Sequence, residues 1–259
     1  MAYLYKQEMF KLCKRRSTLY CLMFLLVQNI LVAILSKMNP DHINSKEIFV
    51  SNFASLSFVV FILIGATATI VSSEFEYNTI KNIIYQSYSR KMVLISKWLT
   101  ILTYSLFMYF VVMLVTLVNK FIFFSNSFSL TGKVHEGSKI IWEYWILNNV
   151  ANFLTLWLLL SLVFLLASVM KKSAAAITVG IVGYFALSII GTVMFMVIGK
   201  WQFLKWNPIN FLNYPSQITE TGIIPKLTHL TNNQMLIGNL LYIILFMSIG
   251  LYFFSKKEV

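Results

Sequence analysis

The chain has 259 residues, of which 58% are hydrophobic and 12% are charged, and its formal net charge is +12. Six apolar runs of about 20 residues each fill roughly half of this length, which leaves no room for a separate soluble domain. The runs show no alternation of polar and apolar residues, so they are expected to cross a bilayer as helices. The composition therefore predicts an all-α, polytopic membrane protein with one transmembrane domain over residues 1–259.

The segment before the first run has the pattern of a helix that lies in the membrane interface. Within residues 1–16, helical spacing places Tyr5, Met9 and Leu12 on one face and Lys11 on the opposite face. Such a helix buries apolar side chains among acyl chains, while its basic face meets anionic headgroups. The six runs that follow are residues 17–35, 48–71, 98–118, 146–170, 174–199 and 235–254.

Basic residues are distributed unevenly among the segments that join the runs. Of the 21 basic residues, 13 lie in the N-terminus, segment 72–97, the pair 171–172 and the C-terminus. The positive-inside rule places the side with more Lys and Arg in the cytosol, so both termini are predicted to be cytosolic. On this interpretation the basic excess reports topology and not nucleic-acid binding, and residues 199–236 form a long outer loop.

The six runs contain no Asp, Glu, Lys, Arg or His. Ion-coupled transporters and intramembrane enzymes keep such residues within the bilayer, because protons, ions and reacting groups need a partner there. The chain also lacks the Gly-rich phosphate-binding motif of nucleotide hydrolases. We therefore predict that it is not an enzyme and has no catalytic, metal-binding or cofactor-binding residue. A partner subunit would bind any ATP and Mg²⁺ used in transport.

Two sets of uncharged residues in the runs have more than one interpretation. Polar side chains such as Asn29 and Asn149 either make hydrogen bonds between helices or line a passage for cargo. The small residues Ala176, Gly180 and Gly183 share one helix face. That face either packs within the subunit or meets a second permease subunit, and the spacing alone does not decide.

Segment 72–97 carries the most information of the joining segments. Helical spacing groups Tyr77 and Ile80 on one side, and Glu74 and Lys81 on the other. A polar face with both charge signs suits docking into a groove of another protein, where apolar side chains supply area and charges set the register. An interfacial loop is the alternative that the pattern leaves open.

The same segment carries the motif of a known family. Residues 74–84 read Glu-Phe-Glu-Tyr-Asn-Thr-Ile-Lys-Asn-Ile-Ile, followed by a Ser-Arg pair at 89–90 and a Ser-Lys pair at 96–97. This pattern resembles the first cytosolic loop of ABC-2-type ABC transporter permeases. The chain is similar to lantibiotic-immunity permeases and to the phenol-soluble modulin exporter permease. It departs from the motif at Asn78, where many members have Gly, and in lacking a proline before the Ser-Arg pair.

The resemblance implies a membrane subunit of an ABC exporter that moves amphipathic peptides or antimicrobial compounds out of the cell or the inner leaflet. It implies a bacterial plasma membrane, a second permease subunit, and cytosolic ABC ATPase subunits that dock on the coupling helix of segment 72–97. It also implies that Ala176 and Gly180 lie where two permease subunits meet. The docking residues carried over by position are Glu74, Glu76, Tyr77, Thr79, Ile80, Lys81, Ile84 and Arg90.

A function of another class is also compatible with the sequence. A non-transporting membrane immunity or sensor protein would bind an antimicrobial peptide, for which outer segments rich in aromatic residues and Asn offer a surface. An adjacent gene that encodes an ATPase favours the exporter. Peptide resistance that persists after that ATPase is inactivated favours the binding protein.

Overall fold

The computed structural model describes residues 1–77, 89–133, 139–170, 172–220 and 222–256. Within these ranges the chain forms eleven α-helices and one 3-10 helix, and the β pairing is an isolated bridge between Lys133 and Ile140. The helices are α1 Ala2–Lys14, α2 Arg16–Met38, α3 Ser45–Val50, α4 Ser55–Glu76, α5 Arg90–Phe123, α6 Ile141–Val169, α7 Ser173–Lys200, the 3-10 helix Gln202–Trp206, α8 Pro208–Phe211, α9 Tyr214–Thr219, α10 Ile224–Thr228 and α11 Asn232–Lys256.

Among the described residues, six segments are long and apolar enough to cross a membrane: α2, α3 with α4, α5, α6, α7 and α11. The predicted all-α, polytopic fold is therefore confirmed. The longest helix, α5, has 34 residues and reaches about 51 Å at 1.5 Å per residue. It exceeds a hydrocarbon core of about 30 Å, which explains why the apolar run 98–118 is shorter than the helix that contains it.

The spans form a central group and a peripheral group. Helices α4, α5 and α6 share the main core, in which Leu63, Ile101 and Leu160 are fully buried. Around them, α2 packs on α5, α7 packs on α4, and α11 packs on α6. The peripheral helices leave most of their apolar side chains on the outside of the bundle, which suits contact with lipid tails that are as apolar as leucine.

Both ends of the chain lie at the same end of the bundle, which we call the terminal end. The Tyr5 hydroxyl lies 2.9 Å from Thr103 Oγ1, which places α1 along α5. At the start of α5, Arg90 Nη1 donates a hydrogen bond of 3.4 Å to the carbonyl of Ser255 near the end of α11. The opposite end, which contains α3 and α8 to α10, is called the loop end.

The face that α1 buries differs from the face that its sequence pattern indicates. Leu4, Glu8 and Leu12 are its buried residues, whereas Met9 is half-buried. The apolar stripe is thus rotated toward Leu4 and takes in a carboxylate. The reason is that α1 packs against α5, where Glu8 forms an ion pair with Lys97.

A left-handed turn interrupts the second span near the loop end. Asn52, Phe53 and Ala54 have φ angles of 54°, 50° and 60°, a region that residues other than glycine rarely occupy. The turn separates α3 from α4 and leaves backbone carbonyls without helical partners. Two side chains of α2 cover these groups: Gln28 Nε2 donates to the Phe53 carbonyl at 2.8 Å, and Asn29 Nδ2 donates to the Asn52 carbonyl at 3.1 Å.

Further polar residues of the spans support the same turn. The Asn52 side chain donates to Asn149 Oδ1 at 3.0 Å and accepts from Trp145 Nε1 at 2.9 Å. Asn119 Nδ2 donates to Asn29 Oδ1 at 2.8 Å. For Asn29 and Asn149, these bonds favour the first interpretation, hydrogen bonding between helices. The break itself carries no proline signal, which is why the sequence did not reveal it.

Residues 199–236, predicted as an outer loop, are largely helical. Pro208, Pro215 and Pro225 lie in the first turn of α8, α9 and α10. A proline there is tolerated because the first N–H groups of a helix have no intrahelical partner. These short helices cover the loop end and bury Phe211 and Tyr214 against α6 and α11.

Candidate functional site at the terminal end

The candidate site is the pair of helix ends, or stems, that carry the predicted docking segment. Helix α4 ends at Glu76 and α5 begins at Arg90. The Ser89 side chain accepts a hydrogen bond of 3.3 Å from the Met92 N–H and thereby caps α5. The middle of the predicted coupling helix lies outside the described residues, and with it Thr79, Ile80, Lys81 and Ile84.

Three of the four described docking residues lie at the surface of the stems or tie them to other spans. Tyr77 is 72% exposed. Glu76 is exposed and accepts a hydrogen bond of 3.0 Å from the Ser173 N–H, at the start of α7, where a carboxylate is favourable. Arg90 bonds the Ser255 carbonyl of α11. The stems are therefore attached to α7 and α11.

Glu74, the fourth docking residue, lies inside the bundle. It is only 4% exposed, and its Oε1 lies 3.2 Å from both Lys97 Nζ and Lys11 Nζ. A carboxylate enclosed in this way by its own chain is not presented to a partner protein. The structure therefore departs from the docking role that the resemblance implied for Glu74. The reason is that Glu74 near the end of α4 lies opposite Lys97 on α5 and pairs with it.

Glu74 belongs to a buried group of ion pairs, formed by Glu8, Lys11, Glu74 and Lys97, which we call the charge cluster. Lys97 Nζ lies 3.0 Å from Glu8 Oε2, and Lys11 Nζ lies 2.9 Å from Glu8 Oε1. Lys97 is fully buried, with 0% exposure. Because its members come from α1, α4 and α5, the charge cluster joins the N-terminal helix to both stems.

The charge cluster is formally neutral, since two carboxylates face two ammonium groups. Neutrality matters because an isolated buried ion costs several kcal/mol, as an order of magnitude. Partial burial acts to lower the pKa of Lys11, but Glu8 and Glu74 outweigh it and raise this pKa above its ordinary value of 10.5. The contribution of Lys11 to stability is thus present below its ordinary pKa of 10.5 and declines as the pH rises through the raised pKa.

Sequence analysis missed the charge cluster because its members lie just outside the apolar runs. Lys97 immediately precedes the third run, and Glu8 lies four residues from both Leu4 and Leu12. The one available signal was this carboxylate on an apolar stripe, which is costly unless a cation pairs with it. The apolar runs contain no charged residues, but the helices that include them are longer. Helix α5, for example, also buries Lys120, two residues beyond the end of its run.

The small residues of α7 differ in how they pack. Ala176 and Gly180 are buried, and a Cβ on Gly180 would lie 2.6 Å from Ile64 Cγ2 on α4. A Cβ on Gly183 would meet no atom of the described residues within 4 Å. Packing of α7 on α4 therefore accounts for Ala176 and Gly180, while a contact between two subunits stays a prediction.

The charged side chains of the site make ion pairs and hydrogen bonds within the chain. Across the described ranges, no group of three or more His, Cys, Asp or Glu residues is close enough to hold a metal ion. The two cysteines, Cys13 and Cys21, are free. The charged side chains described here thus serve to hold helices together at the terminal end.

Comparison with known proteins identifies a relative and a family. The chain is 28% identical over 258 residues to the "Uncharacterized membrane protein YdbK" of Bacillus subtilis (strain 168), and the match covers 96% of this chain and 99% of the relative. Residues 41–259 match the family described as "Protein of unknown function (DUF2705)". Because this match includes five of the six spans and the whole of segment 72–97, the protein belongs to the DUF2705 family.

Proposed function

We propose that the protein is the membrane subunit of an ABC exporter that moves amphipathic peptides or antimicrobial compounds out of a bacterial cell or its inner leaflet. Cytosolic ATPase subunits dock on segment 72–97 and bind the ATP and Mg²⁺. A second permease subunit completes the transport unit in the plasma membrane, with both termini of each subunit in the cytosol. The chain itself performs no hydrolysis.

The observation that carries this proposal is the way in which the two stems of the docking segment are held. The charge cluster joins α4 and α5 to α1. Glu76 connects the first stem to α7, and Arg90 connects the second to α11. A segment with anchored stems passes a displacement on to packed helices instead of absorbing it. This arrangement supports a coupling role for segment 72–97.

The docking surface in this proposal keeps the exposed residues and leaves Glu74 out. Glu74 acts as a positioning residue, because its contact with Lys97 fixes the end of α4 against α5. Apolar side chains of the coupling helix supply contact area, and charges at its ends set the register. The docking residues are then Glu76, Tyr77, Thr79, Ile80, Lys81, Ile84 and Arg90.

The test is co-purification with an ATPase encoded beside the gene, followed by peptide transport in reconstituted vesicles. Ile80→Asp with Ile84→Asp places charges on the apolar docking face. Burying an unpaired charge costs more than 1.4 kcal/mol, so we expect at least about a tenfold loss of bound ATPase. The matched control is Ile223→Asp with Leu227→Asp, two exposed positions with the same spacing at the loop end.

Two results would contradict the proposal. One is equal binding of the ATPase by the wild type and the Ile80→Asp, Ile84→Asp variant. The other is peptide transport in vesicles that contain this chain alone and no nucleotide. The control variant should retain both ATPase binding and transport.

A non-transporting immunity or sensor protein is the second candidate. It is favoured by the packing of α8, α9 and α10 over the loop end, since an ordered surface can hold a peptide without moving it. Resistance that survives inactivation of the ATPase would select this candidate. Loss of resistance on inactivation would select the exporter.

A further inference from the structure

Two adjoining cavities lie between α4, α6, α7 and the loop-end helices. The first has a volume of about 330 Å³ and the second a volume of about 210 Å³. We call them the polar chamber and the apolar chamber. Leu159, Leu187 and Leu212 line both, so the two chambers lie side by side within a single subunit, and we call the pair the bipartite cavity.

Neutral hydrogen-bonding groups line the polar chamber. They include Asn152, Thr155, Ser188 and Asn213, and the lining residues that the structure describes carry no charge. Thr155 Oγ1 and Asn213 Nδ2 are buried and have no hydrogen-bond partner among the described residues. Buried polar groups are rarely left unpaired, and both residues line the polar chamber. Both groups therefore indicate a ligand with hydrogen-bonding capacity.

The apolar chamber has a different lining. Beside the three shared leucines it is enclosed by Leu158, Leu162, Ile209 and Phe246, together with Pro208. Transfer of an apolar group from water into this apolar lining is favourable, because it removes apolar surface from water. Because the chambers are adjacent, a ligand that extends past the three shared leucines would place a polar part in one chamber and an apolar part in the other.

We propose that the bipartite cavity binds an uncharged, hydrophobic stretch of peptide, with backbone amides in the polar chamber and an apolar side chain in the apolar chamber. The choice of a peptide rests on the proposed function, which this inference deepens by naming the binding site. Hydroxyl and amide side chains pair with peptide N–H and C=O groups. A charged group would lose its hydration without gaining a counter-charge from the described lining.

The packing of α7 leaves room for such a ligand. Gly180 brings the terminal half of α7 close to α4, within reach of Ile64. In the loop-end half, Gly191 lines the polar chamber, and a Cβ at this position would meet nothing closer than 3.9 Å. A Cβ added at Gly191 therefore fits without displacing the backbone, and a larger side chain there would take up space at the chamber wall.

The test is photo-crosslinking of the full-length protein in lipid nanodiscs with N-acetyl-Leu-Phe-Leu-amide, whose last leucine carries a diazirine. No ATPase is added, so docking on segment 72–97 does not enter the result. We expect saturable labelling of α6 and α7 that the same peptide without the diazirine competes away. A diacylglycerol with a diazirine in one chain serves as the lipid probe.

Gly191→Leu places a leucine side chain in the polar chamber. We expect it to weaken peptide affinity, and with it labelling at a subsaturating peptide concentration, about tenfold. Gly199→Leu adds the same side chain to the same helix in open space and is expected to leave labelling unchanged. Asn213→Leu removes one unpaired group and is expected to reduce labelling about threefold. Thermal unfolding of each variant identifies any that fail to fold, in which case Asn213→Leu decides.

Each outcome separates this inference from the exporter proposal. Labelling by the lipid probe alone, or peptide labelling that the folded Gly191→Leu variant retains, overturns the inference. Peptide labelling that Gly191→Leu abolishes supports the site. Failure of an ATPase to co-purify would reject only the exporter proposal and would leave this site standing. ATP-driven transport without labelling of the cavity rejects only the site.

Discussion

Lys97 is enclosed by two carboxylates from other helices, Glu8 on α1 and Glu74 on α4. If residue 97 were apolar, burying the Glu8 carboxylate of α1 in the bundle would be unfavourable, because this charge would lose its buried partner. Removing one partner from a buried ion pair is far more costly than replacing the whole pair, because the remaining charge is left uncompensated. The identity of this one residue therefore governs how three helices meet.

Lys97→Met is expected to lower the free energy of unfolding by about 3–5 kcal/mol, since it leaves two buried carboxylates with one partly exposed ammonium. Unfolding in detergent with increasing denaturant measures the change. Lys91→Met is the matched control on the same helix, because Lys91 is exposed. Adding Glu8→Gln to Lys97→Met restores neutrality and should recover part of the loss. Equal stability of the two single variants would contradict the assignment.

The left-handed turn between α3 and α4 is the clearest departure from regular structure at the scale of an element. Three successive residues adopt positive φ, which costs of order 1–3 kcal/mol at each position. Side chains from α2 and α6 stabilise the turn through hydrogen bonds to its backbone and to Asn52. The polar residues of these spans thus compensate for a local strain.

Ala54→Val is expected to destabilise the protein by about 1–3 kcal/mol, because a β-branched side chain fits poorly at a φ of 60°. Ala54→Gly should be neutral or stabilising by up to about 1 kcal/mol. The control Ala66→Val lies in the right-handed part of α4 with similar half-burial. Thermal unfolding in detergent ranks the three variants, and a similar loss for both valine variants would argue against the left-handed turn.

At the scale of the whole molecule, the terminal end and the loop end differ in their basic charge. The N-terminus, segment 72–97, the pair 171–172 and the C-terminus hold 13 of the 21 basic residues, and the described parts of these segments lie at the terminal end. Together with the positive-inside rule, this predicts that the terminal end faces the cytosol. Cys13 is exposed at that end, so it offers a direct probe of orientation.

In intact cells, a membrane-impermeant maleimide is expected to leave Cys13 unlabelled in a Cys21→Ser background, and to label it once the cells are opened. Asn126→Cys, made in a chain without the two native cysteines, lies in the exposed turn after α5 at the loop end. It should be labelled in intact cells. The reverse pattern would mean that the docking segment faces away from any cytosolic ATPase.

Much of the architecture was predictable because hydropathy acts over short stretches of chain. Each span needs only about 20 consecutive apolar residues, so a local property locates it. The docking residues show where this approach fails. Tyr77 and Glu76 are exposed, whereas Glu74, which helical spacing places on the polar face, is buried. Its burial depends on Lys97, a residue 23 positions away.

The amino-acid sequence by itself determined the number of spans, the presence of an N-terminal helix and the uneven distribution of basic residues along the chain. Only the tertiary structure decided which charges pair in the charge cluster, where the second span breaks, and where α7 leaves a cavity beside α6. The physical reason is range: burial in lipid is settled by neighbouring residues along a helix. Ion pairing, compensation of a strained turn and the shape of a cavity depend on which helices pack together.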